Sequence, residues 1–231
     1  DSRHHAIAAK VPMLEPSDSG EALEFAKIAY EISETFDTPV IIKMCTRVAH
    51  SQSVVVPGER VLPQQKPYEK NIQKYVMMPG NAIRRHPIVE ERTRKLIEYA
   101  ETSPLNRVEM GETALGIITS STSYQYAKEV FGDEVSILKI GMVYPLPEKM
   151  IRDFASKVDE LYVMEELDPI IESCVKALGI KCHGKDMFPV CGEFSPNLVR
   201  RAMGREVPST YSLSAGTEIP PRPPVDRKSV V

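Results

Sequence analysis

Between residues 108 and 204 short apolar, β-branched runs alternate with helix-forming stretches, and that alternation leaves few folds open to the chain. Ala114–Thr119 reads as a strand, Ser120–Ser123 as a turn rich in N-cap residues, and Tyr124–Phe131 as a helix closed by Gly132. Val135–Ile140 is the next strand, and Pro145-Leu146-Pro147 opens a helix to about Lys157. Glu160–Glu165 makes a third strand, and Asp168-Pro169 starts a helix that stops near Gly179. Phe188–Cys191 reads as a fourth strand, followed by a helix over 196–203. Strands and helices at this spacing predict an α/β domain over 108–207: a parallel sheet with right-handed crossovers and helices on both faces.

The 231 residues exceed one domain of roughly 100 to 150, so a second unit is expected. Residues 1–52 read as part of another α/β unit. Asp18 and Glu21 have capping-box spacing, and Leu23, Ala26, Ile28, Ala29, Tyr30, Ile32 and Phe36 then form a stripe at helical period. Asp37-Thr38-Pro39 ends that helix, and Val40–Cys45 has the composition of a parallel strand covered on both faces. Residues 53–107 hold six prolines, which predicts a linker carrying one helix at about 87–101, with Pro87 in its first turn. Residues 208–231 read as a proline-rich linker. Pro220–Pro224 is a polyproline spacer, and residues 226–231 are expected to be a junction rather than native sequence.

Charge excludes some functions. The net charge of -3 gives no basic field for nucleic acid, and the run Arg84, Arg85, Arg92, Arg94, Lys95 alternates with Glu90, Glu91 and Glu98 as solvated helical pairs do. No run approaches the roughly 20 apolar residues of a membrane helix, and no signal region follows the N-terminus, so a cytoplasmic chain is expected. Cys45, Cys174, Cys182 and Cys191 lack the spacing of a cluster or a disulfide frame; the last three are expected to be buried and structural.

The opening Asp1–Ala6 and Ala9–Ser17, then Ile41–Ser51, Gly116–Ser120 with Tyr124, Val143–Pro147 and Glu165–Pro169, resemble segments of the large (alpha) subunit of indolepyruvate:ferredoxin oxidoreductases, over about residues 1–224. The resemblance implies an internal fragment: the end of a thiamine-binding pyrimidine-type domain, followed by a transketolase C-terminal-like parallel-sheet domain. It implies an enzyme that oxidatively decarboxylates arylpyruvates to acyl-CoA with ferredoxin as acceptor. Its cofactors are thiamine diphosphate, Mg2+ and [4Fe-4S], and its partners a small beta subunit, ferredoxin and coenzyme A. Those cofactors need a carboxylate at the aminopyrimidine and oxygen ligands at the metal. No Gly-Asp-Gly signature with a downstream Asn is present, so no catalytic or metal residue is assigned, and the fragment is expected to hold none of these cofactors and to be inactive alone.

Five residues are candidates for cofactor binding. The resemblance puts Arg3 and His4 near the cofactor, where an Arg suits a carboxylate; the plainer alternative is a solvated terminus. Arg47 lies past the C-terminal end of a predicted strand, where parallel sheets place ligands, though a simple turn also explains it. Ser120 and Ser121 precede a helix N-terminus that can take a coenzyme A phosphate; N-capping is the simpler account, and the family usually has Gly at position 121. Glu165, Glu166 and Asp168 read as capping and packing carboxylates rather than an acid/base pair. A stand-alone coenzyme A or nucleotide-binding module, or a subunit of another 2-oxoacid:ferredoxin oxidoreductase, are the alternatives.

Overall fold

Asp18 opens the first long helix as its spacing predicts: its carboxylate accepts from the Glu21 amide at 2.9 Å. The Glu21 carboxylate turns back to accept from the Ser17 amide and hydroxyl, each at 2.8 Å, which serves donors the helix itself leaves unpaired. The computed structural model describes residues 1–60, 62 and 67–209, so the polyproline spacer and residues 226–231 lie outside the described residues. In chain order the elements are α1 (Arg3–Ala9), β1 (Met13–Leu14), α2 (Ser19–Phe36), β2 (Ile41–Ile42), α3 (Thr46–His50), α4 (Ile72–Tyr75), α5 (Pro79–Thr102), β3 (Arg107–Glu109), β4 (Glu112–Ser120), α6 (Ser121–Phe131), β5 (Val135–Ile140), β6 (Met142–Tyr144), α7 (Glu148–Ala155), β7 (Glu160–Met164), α8 (Ile170–Ala177) and α9 (Pro196–Ala202).

The fold is α/β, with the parallel sheet the alternation predicts. Strand order in the larger sheet is β3-β5-β4-β7; β4 is parallel to β5 and β7, while β3 joins β5 antiparallel at the edge. Side chains alternate across it. Ile118, Leu138 and Val163 face Ile151, Phe154 and Ile171 of α7 and α8, while Ile117 and Ile137 face Ala127, Phe131 and Val199 of α6 and α9. Helices therefore cover both faces. The smaller sheet runs β2-β1-β6: β1 is parallel to β2 and antiparallel to β6, a strand from the later part of the chain. Leu14, Phe25, Ile32, Leu96, Leu105 and Met142 fill the core between α2 and α5.

Four expectations are corrected. The strand of 40–45 shrinks to Ile41–Ile42, an edge strand only partly buried rather than covered on both faces. Pro87 stands inside α5, which starts eight residues earlier at Pro79. The carbonyl Pro87 cannot reach belongs to Ile83, which is 74% exposed, where water can serve it. Residues 188–191 form no strand. Phe188 and Phe194 turn inward to the α6/α9 core instead, Pro189 offers no amide, and β7 gains only a parallel bridge between Tyr162 and His183. Finally, Cys182 is buried and Cys174 half-buried, but Cys191 is exposed.

The basic face of α5 docks as well as solvates. Arg94 and Lys95 pair with Glu91 along the helix, but Arg85 reaches Asp37 at 2.9 Å and Arg92 its carbonyl at 2.7 Å. Asp37 is the left-handed C-cap of α2, so these cations sit at the negative end of that helix.

At the other end of α2, Glu21 enters the interior. It bonds the fully buried Lys139 of β5, and Arg107 of β3 reaches it at 2.7 Å. Burial by itself would raise the Glu21 carboxyl, but Lys139, Ser17 and Arg107 together bring it from 4.5 down to about 2. A carboxylate lowered in the folded state contributes stability that is complete above about pH 4.5 and is lost as the pH falls toward 2. Glu21→Gln is expected to cost about 3–5 kcal/mol at neutral pH, because Lys139 is left buried without a counter-charge, and to cost less at pH 3. Urea titrations at the two pH values check this; equal losses at both would contradict it.

Candidate functional site

Where the two sheets meet, the C-terminal ends of β4 and β7 face the loop after β2, and a cleft of about 520 Å3 opens between them. Arg3, Arg47, Ser120 and Ser121 all line it. His4 does not; it is exposed and its Nε2 lies 2.9 Å from Asp168 Oδ2.

Arg3 is not solvated. It is 2% exposed, and α1 delivers its guanidinium to the turn after β7. Nη1 donates to Glu165 at 2.6 Å, Nη2 to the carbonyls of Glu166 and Asp168 at 2.9 and 2.8 Å, and Nε to Asp1 at 3.0 Å. Glu165 spends its remaining capacity at the start of α8, accepting from the Ile171 and Glu172 amides at 3.0 and 2.9 Å. Glu166 accepts from the Phe194 amide at 2.7 Å. These carboxylates cap and pack, as their positions in the sequence suggest; the guanidinium is committed to them and presents the rim of the cleft rather than a vacant fork.

Two residues that sequence reasoning missed form the floor. Glu15, 1% exposed, accepts from Lys43 Nζ at 2.6 Å and from the Ser120 hydroxyl at 2.9 Å. Glu15 follows a two-residue strand, too short to show a period, and Lys43 interrupts an apolar run, so neither carried a signal. Arg47, half-exposed, pairs with Glu193 at 2.7 Å and lies 5.9 Å from the Tyr126 ring. Burial pushes the Tyr126 hydroxyl up, and that hydroxyl has no hydrogen-bond partner. By formal charge Arg3, Lys43 and Arg47 balance Glu15, Glu166 and Glu193 around the cleft.

The expected capping by Ser120 and its neighbours is corrected. α6 starts at Ser121 rather than near Tyr124, and Ser120, its N-cap residue, makes no side-chain cap because its hydroxyl is turned to Glu15. Ser121 has φ 52°, left-handed backbone that suits glycine. No group of three or more His, Cys, Asp or Glu able to hold a metal exists among the described residues. The four thiols are free. Among the described residues no helix is long and apolar enough to cross a membrane.

The chain is similar to a solved structure described as 2-oxoglutarate:ferredoxin oxidoreductase from Magnetococcus marinus with 2-oxoglutarate, coenzyme A and succinyl-CoA bound, at TM-score 0.59 and 14% identity, covering 84% of this chain and 41% of that one, a likeness of fold. Indolepyruvate oxidoreductase subunit IorA of Methanothermobacter marburgensis is 37% identical over 241 residues. The proteins of the same name from Archaeoglobus fulgidus and Pyrococcus horikoshii are 32% and 34% identical. Over the stretch it covers, the chain belongs to the IorA family of indolepyruvate oxidoreductase subunits. Each alignment takes in 97% of this chain, and the chain spans 39% of the length of those relatives. No protein-family model matches.

Two substitutions test the site's construction. Arg3→Met is expected to cost about 3–5 kcal/mol in urea unfolding, because Glu165 loses its buried counter-charge; a loss under about 1 kcal/mol would show the pair to be dispensable. Ser121→Val is expected to cost about 1–2 kcal/mol while Ser121→Gly costs nothing, since only the first forces a β-branched residue into left-handed backbone. Equal melting of the two variants would contradict that reading.

Proposed function

We propose that the chain is part of the large subunit of a thiamine diphosphate-dependent oxidoreductase that oxidatively decarboxylates indolepyruvate and related arylpyruvates to acyl-CoA, with ferredoxin as electron acceptor. The observation that carries this is identity of 32–37% across 97% of the chain to IorA proteins. In this reading the stretch over 1–52 belongs to a pyrimidine-type domain, 53–107 connects, and 108–207 is the transketolase C-terminal-like domain. Arg3, His4, Arg47, Ser120 and Ser121 stand on the cofactor side: Arg3 fixes the rim, His4 and Asp168 close its outer edge, and Arg47 and the serines offer donors to an anionic group. Thiamine diphosphate, Mg2+ and [4Fe-4S] are held by sequence other than the residues described, so no chemical step is assigned to this chain and it is inactive alone. Its partners are a small beta subunit, ferredoxin and coenzyme A, in the cytoplasm.

The name of the fold neighbour offers 2-oxoglutarate as a second substrate, and the test separates the two. The full polypeptide that contains this chain, purified with its partner subunit, is assayed for coenzyme A-dependent reduction of ferredoxin or a viologen dye. Indolepyruvate is expected to support turnover at least about tenfold faster than 2-oxoglutarate, a discrimination that pocket contacts of about 1–3 kcal/mol supply. Preference for 2-oxoglutarate would reassign the substrate. Failure of every 2-oxoacid to reduce the dye would remove the oxidoreductase reading.

A further inference from the structure

The stretch from α4 into the first turns of α5 is amphipathic in the reverse sense. Ile72, Tyr75, Val76, Met77, Met78 and Ile83 are 44–74% exposed, and among the described residues none joins the three apolar clusters of the core. Its charges turn inward instead: Lys74 reaches Asp37 at 2.6 Å and Arg85 reaches it at 2.9 Å, with side chains only 29% and 21% exposed. A surface helix ordinarily does the opposite, with apolar groups on the body and charges in water. Further along, α5 itself obeys that rule, for Leu96 and Ala100 are buried. Local bonds give the reversed stretch its shape: the Asn71 side chain accepts from the Lys74 amide at 3.0 Å, and Asn81 Nδ2 donates to the Val76 carbonyl at 2.9 Å.

The area of this face is that of an interface. A bare side chain of this size presents roughly 150–250 Å2, so at these exposures the six together present on the order of 700 Å2. The largest apolar patch of a monomer is about 300–600 Å2, and one side of a stable two-protein contact is about 800 Å2, a figure the polar groups between the six make up. Charge selects the occupant. Lys74 and Arg85 are spent on Asp37, His86 Nε2 lies 2.9 Å from Glu90, and Glu69 stands beside Lys70. Among the described residues of the stretch this leaves Arg84 unbalanced, its Nε donating to the Gly80 carbonyl. A face with so little net sign draws neither a strongly acidic nor a strongly basic partner. It suits its own copy, because a two-fold contact sets each patch against itself and any surplus sign meets its like.

We infer that the apolar face formed by α4 and the first turns of α5 is a two-fold contact between two copies of this chain. Tyr75, Met77, Met78 and Ile83 of one copy are buried against the same face of the other, and the bonds of Lys74 and Arg85 to Asp37 hold that face in position. The inference does not depend on the reaction proposed above, and its test reads no activity.

The full polypeptide that contains this chain is diluted serially, alone and with its partner subunit, and followed by sedimentation velocity and by hydroxyl-radical footprinting, which reads the exposure of Tyr75, Met77 and Met78 directly. Two copies are expected to associate with the three side chains shielded, and shielding is expected to vanish at the dilution where the mass halves. Tyr75→Glu and Ile83→Glu are each expected to weaken association about thirtyfold or more, as loss of an anchoring residue does, with far-UV circular dichroism unchanged. Val108→Glu, at a 40% exposed apolar position on β3, is expected to leave association unchanged. Side chains shielded in a monomer would show that the rest of the same polypeptide covers the face, and shielding that appears only with the partner subunit would hand it to that subunit; either overturns the inference. So does a dimer in which the three side chains oxidise freely, or one whose mass and footprint both folded variants leave unmoved.

Discussion

The guanidinium of Arg3 is the contact on which the arrangement of the cleft depends. A helix of seven residues has little stability of its own, and α1 is held because its Arg reaches Glu165 and two carbonyls in the turn after β7. That turn includes Leu167 in left-handed backbone, a conformation a non-glycine residue keeps only where its surroundings fix it. Glu165 in turn caps α8, so one buried charge pair sets the start of a helix, the path of the turn and the rim of the cleft. Replacing the pair with apolar groups would preserve packing, but breaking one side would leave the other buried without a counter-charge.

A second polar centre performs the matching task on the opposite side of the smaller sheet. Glu21, Lys139 and Arg107 link the start of α2 to β5 and β3, and Glu109 and Tyr124 extend the network by bonds of 2.9 and 2.8 Å. Because Lys139 is fully buried, its charge is tolerable only beside Glu21, which fixes the height of α2 over the sheet. Sheet, helix and cleft are thus located by two charge pairs set into an apolar interior, and the apolar contacts fill the space between.

The larger sheet was legible because its signals are local. Val135–Ile140 is buried along its whole length and is apolar at four of its six positions, with Ser136 and Lys139 between, and Gly132 and the Pro145–Pro147 stretch punctuate the helices beside it. The smaller sheet was not. Met13–Leu14 and Ile41–Ile42 are two residues each, and β6 pairs with β1 across more than a hundred residues, which no short-range pattern reports. The same holds for the site. Arg47 and Ser120 stand at strand and helix ends where ligands are sought, and they do line the cleft. Glu15 and Lys43 meet only because β1 and β2 are neighbours, a pairing that nothing in either segment announces.

The pairing of β6 with β1 carries a consequence for how such a chain can be inherited. The first sheet takes its third strand from residues 142–144, inside the stretch that otherwise builds the second sheet, and Ala6 and Met13 pack into the same core as Ile118 and Phe154. The two regions are therefore interleaved, and a gene-level exchange at the proline-rich connection would deliver one partner with an open sheet edge and the other with a stranded segment. The two regions are exchangeable only together, since Met13 and Tyr144 face each other across the pairing that joins them.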